Sequence, residues 1–365
     1  MIDTTICTHV VYCYIDAIAN GTIILDGWLD DRLDEGLLEK FVDLKEQNPT
    51  VKLMVAAGGL EFGSKVFSQI AANKLSRWDF AQNVMKFCQK YNLDGFEISW
   101  QYPAQRDGNA AVDKNNFNEL LKELKSALSK DGLLLSFAGA AVENLAMISY
   151  DIRTVASIVD FINIMAYDFH QPKDGFTGIH GALYAGPNEN QKINADAAIK
   201  YWISQGAPAK KLILGIPTYG KSFTLANEAN NDIVAAVTGA GVAGPFTRQN
   251  GILGYNEICS NPRWKNKWQV EQKAPYAIKN NQWVGYDDVN SVSIKAKYIN
   301  ENDLGGAMFW SLETDDFQGK CGQGKYPLIR TAFQILIGEK ISASTESFWT
   351  CPKYLPYPNY QKYYQ

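Results

Sequence analysis

Apolar, β-branched runs alternate with amphipathic helical stretches along most of this 365-residue chain. That alternation admits few folds, because strand, helix and strand in succession demand parallel neighbours in one sheet. The strand-like runs are His9 to Ile15, Val51 to Gly58, Asp94 to Pro103, Leu133 to Ala138, Val159 to Tyr167, Leu212 to Tyr219 and Gly306 to Trp310. Helical stretches fall at Leu33 to Glu46, Val66 to Lys90 and Asn115 to Leu128, the last with Phe117, Leu120, Leu121, Leu124 and Leu128 at helical spacing. So many units predict an α/β protein, a (β/α)8 TIM barrel. Seven strands are visible where a barrel needs eight, and an open remnant would expose two strand edges. The expectation is that the first strand is missing from this chain, which looks N-terminally truncated at Met1. Between Tyr219 and Asn290 the rhythm breaks, and residues 222–285 read as a small α+β insertion. The barrel domain is placed at 1–338 and a loose Tyr/Pro-rich tail at 339–365.

The third run, Asp94-Gly-Phe-Glu-Ile-Ser-Trp-Gln-Tyr-Pro103, carries the chemistry. Side chains on a strand alternate sides, so Phe96, Ile98, Trp100 and Tyr102 share one face and Glu97, Ser99 and Gln101 the other. In a barrel the polar face points inward and upward, into an active-site funnel.

Composition excludes several classes. The net charge is −4 and there is no long basic run, which argues against nucleic acid. No stretch is apolar for long enough to cross a bilayer. The three histidines, His9, His170 and His180, make no helical pair with a carboxylate, and the six cysteines match no zinc spacing, so neither metal nor cofactor is expected. Cys13 and Cys88 read as buried thiols; Cys7, Cys259, Cys321 and Cys351 flank polar loops open to oxidation. The 9 Trp, 19 Tyr and 17 Phe fill the core for the most part, and near strand ends they would suit stacking on sugar rings. Asn20-Gly21-Thr22 is a glycosylation sequon in a turn-like stretch. The stretch that opens at Met1 does not read as a signal peptide.

These motifs together resemble glycoside hydrolase family 18, the chitinases and chitinase-like lectins. Cys7-Thr-His-Val-Val-Tyr12 looks like the family's second strand, Ala57-Gly-Gly59 its third, and Met165-Ala-Tyr-Asp168 its sixth. Gly215-Ile-Pro-Thr-Tyr-Gly-Lys-Ser-Phe223 resembles the seventh and Gly305-Gly-Ala-Met-Phe-Trp310 the eighth. The fourth-strand signature of the family is Asp-Gly-x-Asp-x-Asp-Trp-Glu-Tyr-Pro. There, by resemblance, the glutamic acid protonates the glycosidic oxygen while the N-acetyl carbonyl of the substrate attacks the anomeric carbon, with the aspartates tuning the acid. This chain departs at each position: Gln101 replaces the acid, Ser99 the middle aspartate and Glu97 the first. An amide has no titratable proton near neutral pH, and general acid catalysis alone is worth roughly 10²–10⁴ in rate. The resemblance therefore implies no enzyme activity.

The resemblance also implies a surviving inner sugar site. Trp310 would form its floor with Met165 and Met308 beside it; Tyr167 would contact the acetamide, and Asp168, Tyr219 and Lys221 the hydroxyls. Asp168 and Tyr167 read equally well as a structural hydrogen-bonded pair, and the two methionines as packing. Leu60 and Lys173 stand where many members carry tryptophan platforms. Cys259 and Cys321 resemble a family disulfide, and Cys7 a cysteine without its partner. The expectation is a secreted, monomeric, non-catalytic protein binding chitin or N-acetylglucosamine oligomers. The alternatives are a protein-interaction or growth-factor-like role with a protein receptor, as in imaginal disc growth factors, and, behind that, a residual chitinase using Glu97.

Overall fold

The computed structural model describes residues 2–24 and 36–338. The tail at 339–365, Cys351 and the first residues of the Leu33 to Glu46 stretch lie outside them. In chain order the strands are β1 His9–Ala17, β2 Ile23–Ile24, β3 Lys52–Gly58, β4 Gly95–Ser99, β5 Leu134–Ala140, β6 Phe161–Met165, β7 Leu212–Pro217, β8 Tyr219–Leu225, β9 Val237–Ala240, β10 Ile252–Gly254, β11 Lys265–Gln269, β12 Ala274–Lys279, β13 Gln282–Gly285 and β14 Gly306–Trp310.

The main sheet has eight strands in the order β14-β7-β6-β5-β4-β3-β1-β2. Its neighbours pair in parallel from β14 to β1, and β2 folds back antiparallel on β1 through Asp16↔Ile24. This is the TIM-barrel-like α/β fold the alternation predicts. Among the described residues the hydrogen-bonded path ends at β14 on one side and at β1–β2 on the other. The short hairpin strand β2 gave no sequence signal, because two residues are too few to show a period.

Register brings Ala56 opposite Glu97, Glu97 opposite Ser136, and Ala138 opposite Asn163. The polar face of β4 thus turns into the barrel. Its apolar face turns outward, where Phe96, Ile98 and Trp100 are fully buried under the helices. Trp100 lies 5.7 Å, ring to ring, from both Phe67 of the helix Lys65–Ala72 and Phe117 of Asp113–Leu128. The helical stretch expected from Val66 to Lys90 is two helices, Lys65–Ala72 and Lys74–Lys90. Asn73 makes the break: its backbone is extended and its side chain accepts from the Leu75 and Ser76 amides at 2.8 and 3.1 Å, capping the second helix.

The insertion is a second, antiparallel sheet, ordered β10-β8-β13-β12-β11 with β9 on β8. It begins at Tyr219 rather than Ser222, so the chain leaves β7 and enters the insertion through a single residue, Thr218. Its small core gathers Phe223, Tyr276, Ile278 and Trp283. Cys259 and Cys321 are joined in a disulfide, with Cα atoms 5.6 Å apart, tying the insertion to the loop after β14. Cys7, Cys13 and Cys88 are free thiols; burial pushes the Cys88 thiol up to about 12 and leaves it unreactive.

Candidate functional site

The C-terminal ends of the parallel strands hold the site, as in barrels generally. β4 ends on Ser99, and the chain continues through Trp100 to Gln101. Gln101 is 9% exposed, and its Nε2 donates to the Ser99 hydroxyl at 3.3 Å. Two residues deeper, the Glu97 carboxylate accepts from the Ser136 hydroxyl at 2.9 Å and from the Asn163 amide. Burial raises the Glu97 pKa, and those two donors pull it back only in part. Glu97 is therefore a hydrogen-bonded acid inside the barrel.

A raised carboxyl has a pH signature. Above the ordinary glutamate range, near pH 4, the unfolded chain has released a proton that the folded chain still holds, so stability falls as pH rises through that window. Wild-type protein is expected to lose stability relative to Glu97→Gln as pH rises above about 4, read by urea unfolding at each pH. Parallel pH curves for the two proteins would refute the assignment.

Where the chain leaves β6 and where β8 begins, a second polar cluster forms. Asp168 follows β6 and adopts φ 61°, a left-handed conformation that an aspartate tolerates better than most residues. This turns its carboxylate toward the insertion. The Tyr219 hydroxyl donates to Asp168 Oδ1 at 2.6 Å, and Lys221 Nζ lies 3.1 Å from Oδ2. Buried His180 lies 3.0 Å through Nε2 from the Tyr219 carbonyl, and its Nδ1 lies 3.4 Å from both the amide nitrogen and Oδ1 of Asp168. Burial lowers the His180 pKa, and Asp168 opposes that only in part. Burial also pushes the Asp168 carboxyl up, yet His180, Lys221 and Tyr219 outweigh it and hold Asp168 below the usual carboxylate range. Of the two tyrosines beside Asp168, Tyr219 is the one whose hydroxyl donates to its carboxylate.

Tyr167 packs beside this cluster, its ring 6.2 Å from that of Tyr219. Its phenol is raised by burial first, and by the neighbouring Tyr14, Asp168, Tyr102 and Glu97. Met165 ends β6, and Met308 on β14 sits in register with Gly215. Trp310 ends β14 half-exposed, and Tyr14 stacks on it at 5.7 Å with planes 27° apart. Gly59 permits that stack: at φ +90° it has no side chain, and a Cβ there would stand 2.8 Å from the Tyr14 ring. Leu60 beyond it is 58% exposed, and Lys173 is exposed on a short helical turn.

Trp310 with Tyr14, Tyr219 with Asp168 and Lys221, and Gln101 with Ser99 thus lie at or just beyond the strand ends. These groups are suited to hydroxyl and amide hydrogen bonding over a flat ring. A separate cleft of about 830 Å³, lined by Tyr255, Trp264, Tyr286 and Gln323 among others, lies between the insertion and the last helices and contains none of these residues. Among the described residues, the one grouping of metal-ligand type is Cys259, Asp316 and Cys321, whose sulfurs are already in the disulfide.

The sequence model of Glycosyl hydrolases family 18 matches residues 1–315. The chain belongs to that family. Mouse Chitotriosidase-1 is 40% identical over 349 residues, spanning 92% of this chain and 73% of that protein. The structure of Ostrinia furnacalis Group IV chitinase aligns with a TM-score of 0.88 at 39% identity, over 92% of this chain and 93% of that one. Human YKL-39, described as a pseudo-chitinase with retained chitooligosaccharide binding properties, aligns with a TM-score of 0.85 at 36% identity, over 93% of both chains. Family 18 therefore contains both chitinases and a pseudo-chitinase at comparable distance from this chain.

Within this family 18 site, sequence reading missed Tyr14, His180 and Asn163. Tyr14 lies two residues beyond the strand motif quoted for the family, on an aromatic-rich strand, and that proximity was its available signal. His180 and Asn163 act through long-range contacts that no local pattern encodes.

Proposed function

We propose that this family 18 chain binds chitin or N-acetylglucosamine oligomers at the barrel mouth and does not hydrolyse them. The observation that carries the reading is Gln101. It stands at the end of the central strand with its amide bonded to Ser99, where proton transfer to a glycosidic oxygen would need an acid. The retained binding described for human YKL-39 supports a sugar ligand without catalysis. In this reading Trp310 is the sugar floor with Tyr14, Met165 and Met308 around it. Tyr167 meets the acetamide, and Asp168, Tyr219 and Lys221 meet hydroxyls, exchanging some of their mutual bonds for bonds to ligand. The disulfide Cys259–Cys321 fits a protein working outside the cell, and no described helix is long and apolar enough to cross a membrane.

Trp310→Ala removes a flat apolar surface of the size that contributes about 1.5–3 kcal/mol when buried. Titration calorimetry with a chitooligosaccharide is expected to show about 10- to 100-fold weaker binding for Trp310→Ala. Unchanged affinity would sink the floor assignment. A second reading, a protein partner, is favoured by exposed Leu60 and Lys173, which stand where many family members carry tryptophan platforms. A captured partner that ignores added chitooligosaccharide would support it.

A further inference from the structure

The β1–β2 hairpin is closed by backbone bonds from the Ile18 amide to the Thr22 carbonyl at 3.0 Å and from the Gly21 amide to the Ile18 carbonyl at 2.8 Å. Its tip carries Asn20-Gly21-Thr22. The other Asn-x-Thr of the chain, Asn48-Pro49-Thr50, has the proline that blocks modification. Asn20 and Thr22 are exposed, while Gly21 between them is buried. Asn20 Oδ1 accepts from the Thr22 amide at 3.0 Å, a local turn that holds the acceptor side chain beside the hydroxyl residue two positions on.

Gly21 anchors the tip. At φ +87° it lies so close to the helix Lys74–Lys90 that a Cβ would stand 2.7 Å from the Phe80 amide nitrogen and 2.9 Å from the Ser76 carbonyl oxygen. Asn83 Nδ2 donates to the Gly21 carbonyl at 2.9 Å. The middle residue of the sequon is thus fixed against the scaffold, and its neighbours are turned to solvent. Ile18 and Ile24 on the same hairpin are 43% and 40% exposed, apolar surface that a hydrated glycan would cover. A bulky group on Asn20 would extend outward without displacing any core residue.

We propose that Asn20 carries an N-linked oligosaccharide. The co-reactant is a polyprenyl-pyrophosphate oligosaccharide of the secretory pathway. The Asn20 Nδ2 bonds to the anomeric carbon of the first sugar, that carbon's bond to the phosphate oxygen breaks, the polyprenyl pyrophosphate leaves with the electron pair, and the amide gives up one proton to base. The inference rests on the extracellular reading above.

The test is secretory expression in a eukaryotic cell, with a leader fused to the chain, followed by intact and peptide mass spectrometry with and without peptide-N-glycosidase. Wild type is expected to lose one oligosaccharide mass on treatment and to show aspartate at position 20. Thr22→Ser is expected to keep the glycan, and Asn20→Gln and Thr22→Ala to abolish it, all three secreted and folded. An unmodified Asn20 in folded, secreted wild type, or a glycan that persists in Thr22→Ala, would overturn the assignment. Because the leader delivers the chain to the sugar donor wherever the natural protein resides, an unmodified Asn20 counts against the site and not against the proposed location.

Discussion

Gln101→Glu combined with Ser99→Asp is expected to raise release of fluorophore from a chitobioside by roughly 10²–10⁴ over wild type. The first substitution puts a carboxylic acid, with a proton to deliver, at the strand end. The second puts a carboxylate at a position only 1% exposed, where it would raise the pKa of that acid through like-charge coupling and oppose the positive charge that develops on the substrate. Gln101→Glu alone is expected to gain less, since the electrostatic partner stays absent. The pH profile of the double variant should fall on its alkaline side as the acid introduced by Gln101→Glu loses its proton. If the variant binds chitooligosaccharide as wild type does and still releases nothing, the groove is not a dormant chitinase groove.

Trp100→Ala is expected to destabilise the fold by about 3–5 kcal/mol, the range for large aromatic truncations in cores. Trp100 is 1% exposed and touches Phe67 and Phe117 from two helices, behind the strand that presents Gln101. The cavity left there cannot collapse easily, because strand β4 is pinned by parallel partners on both sides. Urea unfolding should show the midpoint shift. A loss below about 1 kcal/mol would mean that the aromatic layer repacks and contributes far less than its burial indicates. Of the two strand-end tryptophans, Trp100 packs against the helices, and Trp310 stacks with Tyr14 and is the one proposed to meet ligand.

The barrel was legible because its strands are β-branched and its helices periodic, and because Glu97, Ser99 and Gln101 alternate strictly with Phe96, Ile98 and Trp100. That alternation alone put three polar side chains on the inner face, where the structure has them. The insertion was legible as a broken rhythm, although its start at Tyr219 was not, since β7 passes into β8 across Thr218 with no turn residue to mark it. The network around Asp168 was not legible. It depends on a left-handed backbone at that residue and on His180, twelve positions away on another loop. The stacking of Tyr14 on Trp310 depends on the approach of sheet-end strands that share no sequence neighbourhood. The split of the helix at Asn73 was readable in principle as an Asn cap and was hidden by continuous apolar periodicity on both sides.

The most direct test of binding without cleavage is a native mass spectrum of the wild-type chain after prolonged incubation with chitopentaose. The account predicts a complex carrying one intact pentasaccharide, weakened in Trp310→Ala, and no shorter sugars. Free protein alone, or protein bound to di- and trisaccharide fragments, would contradict it.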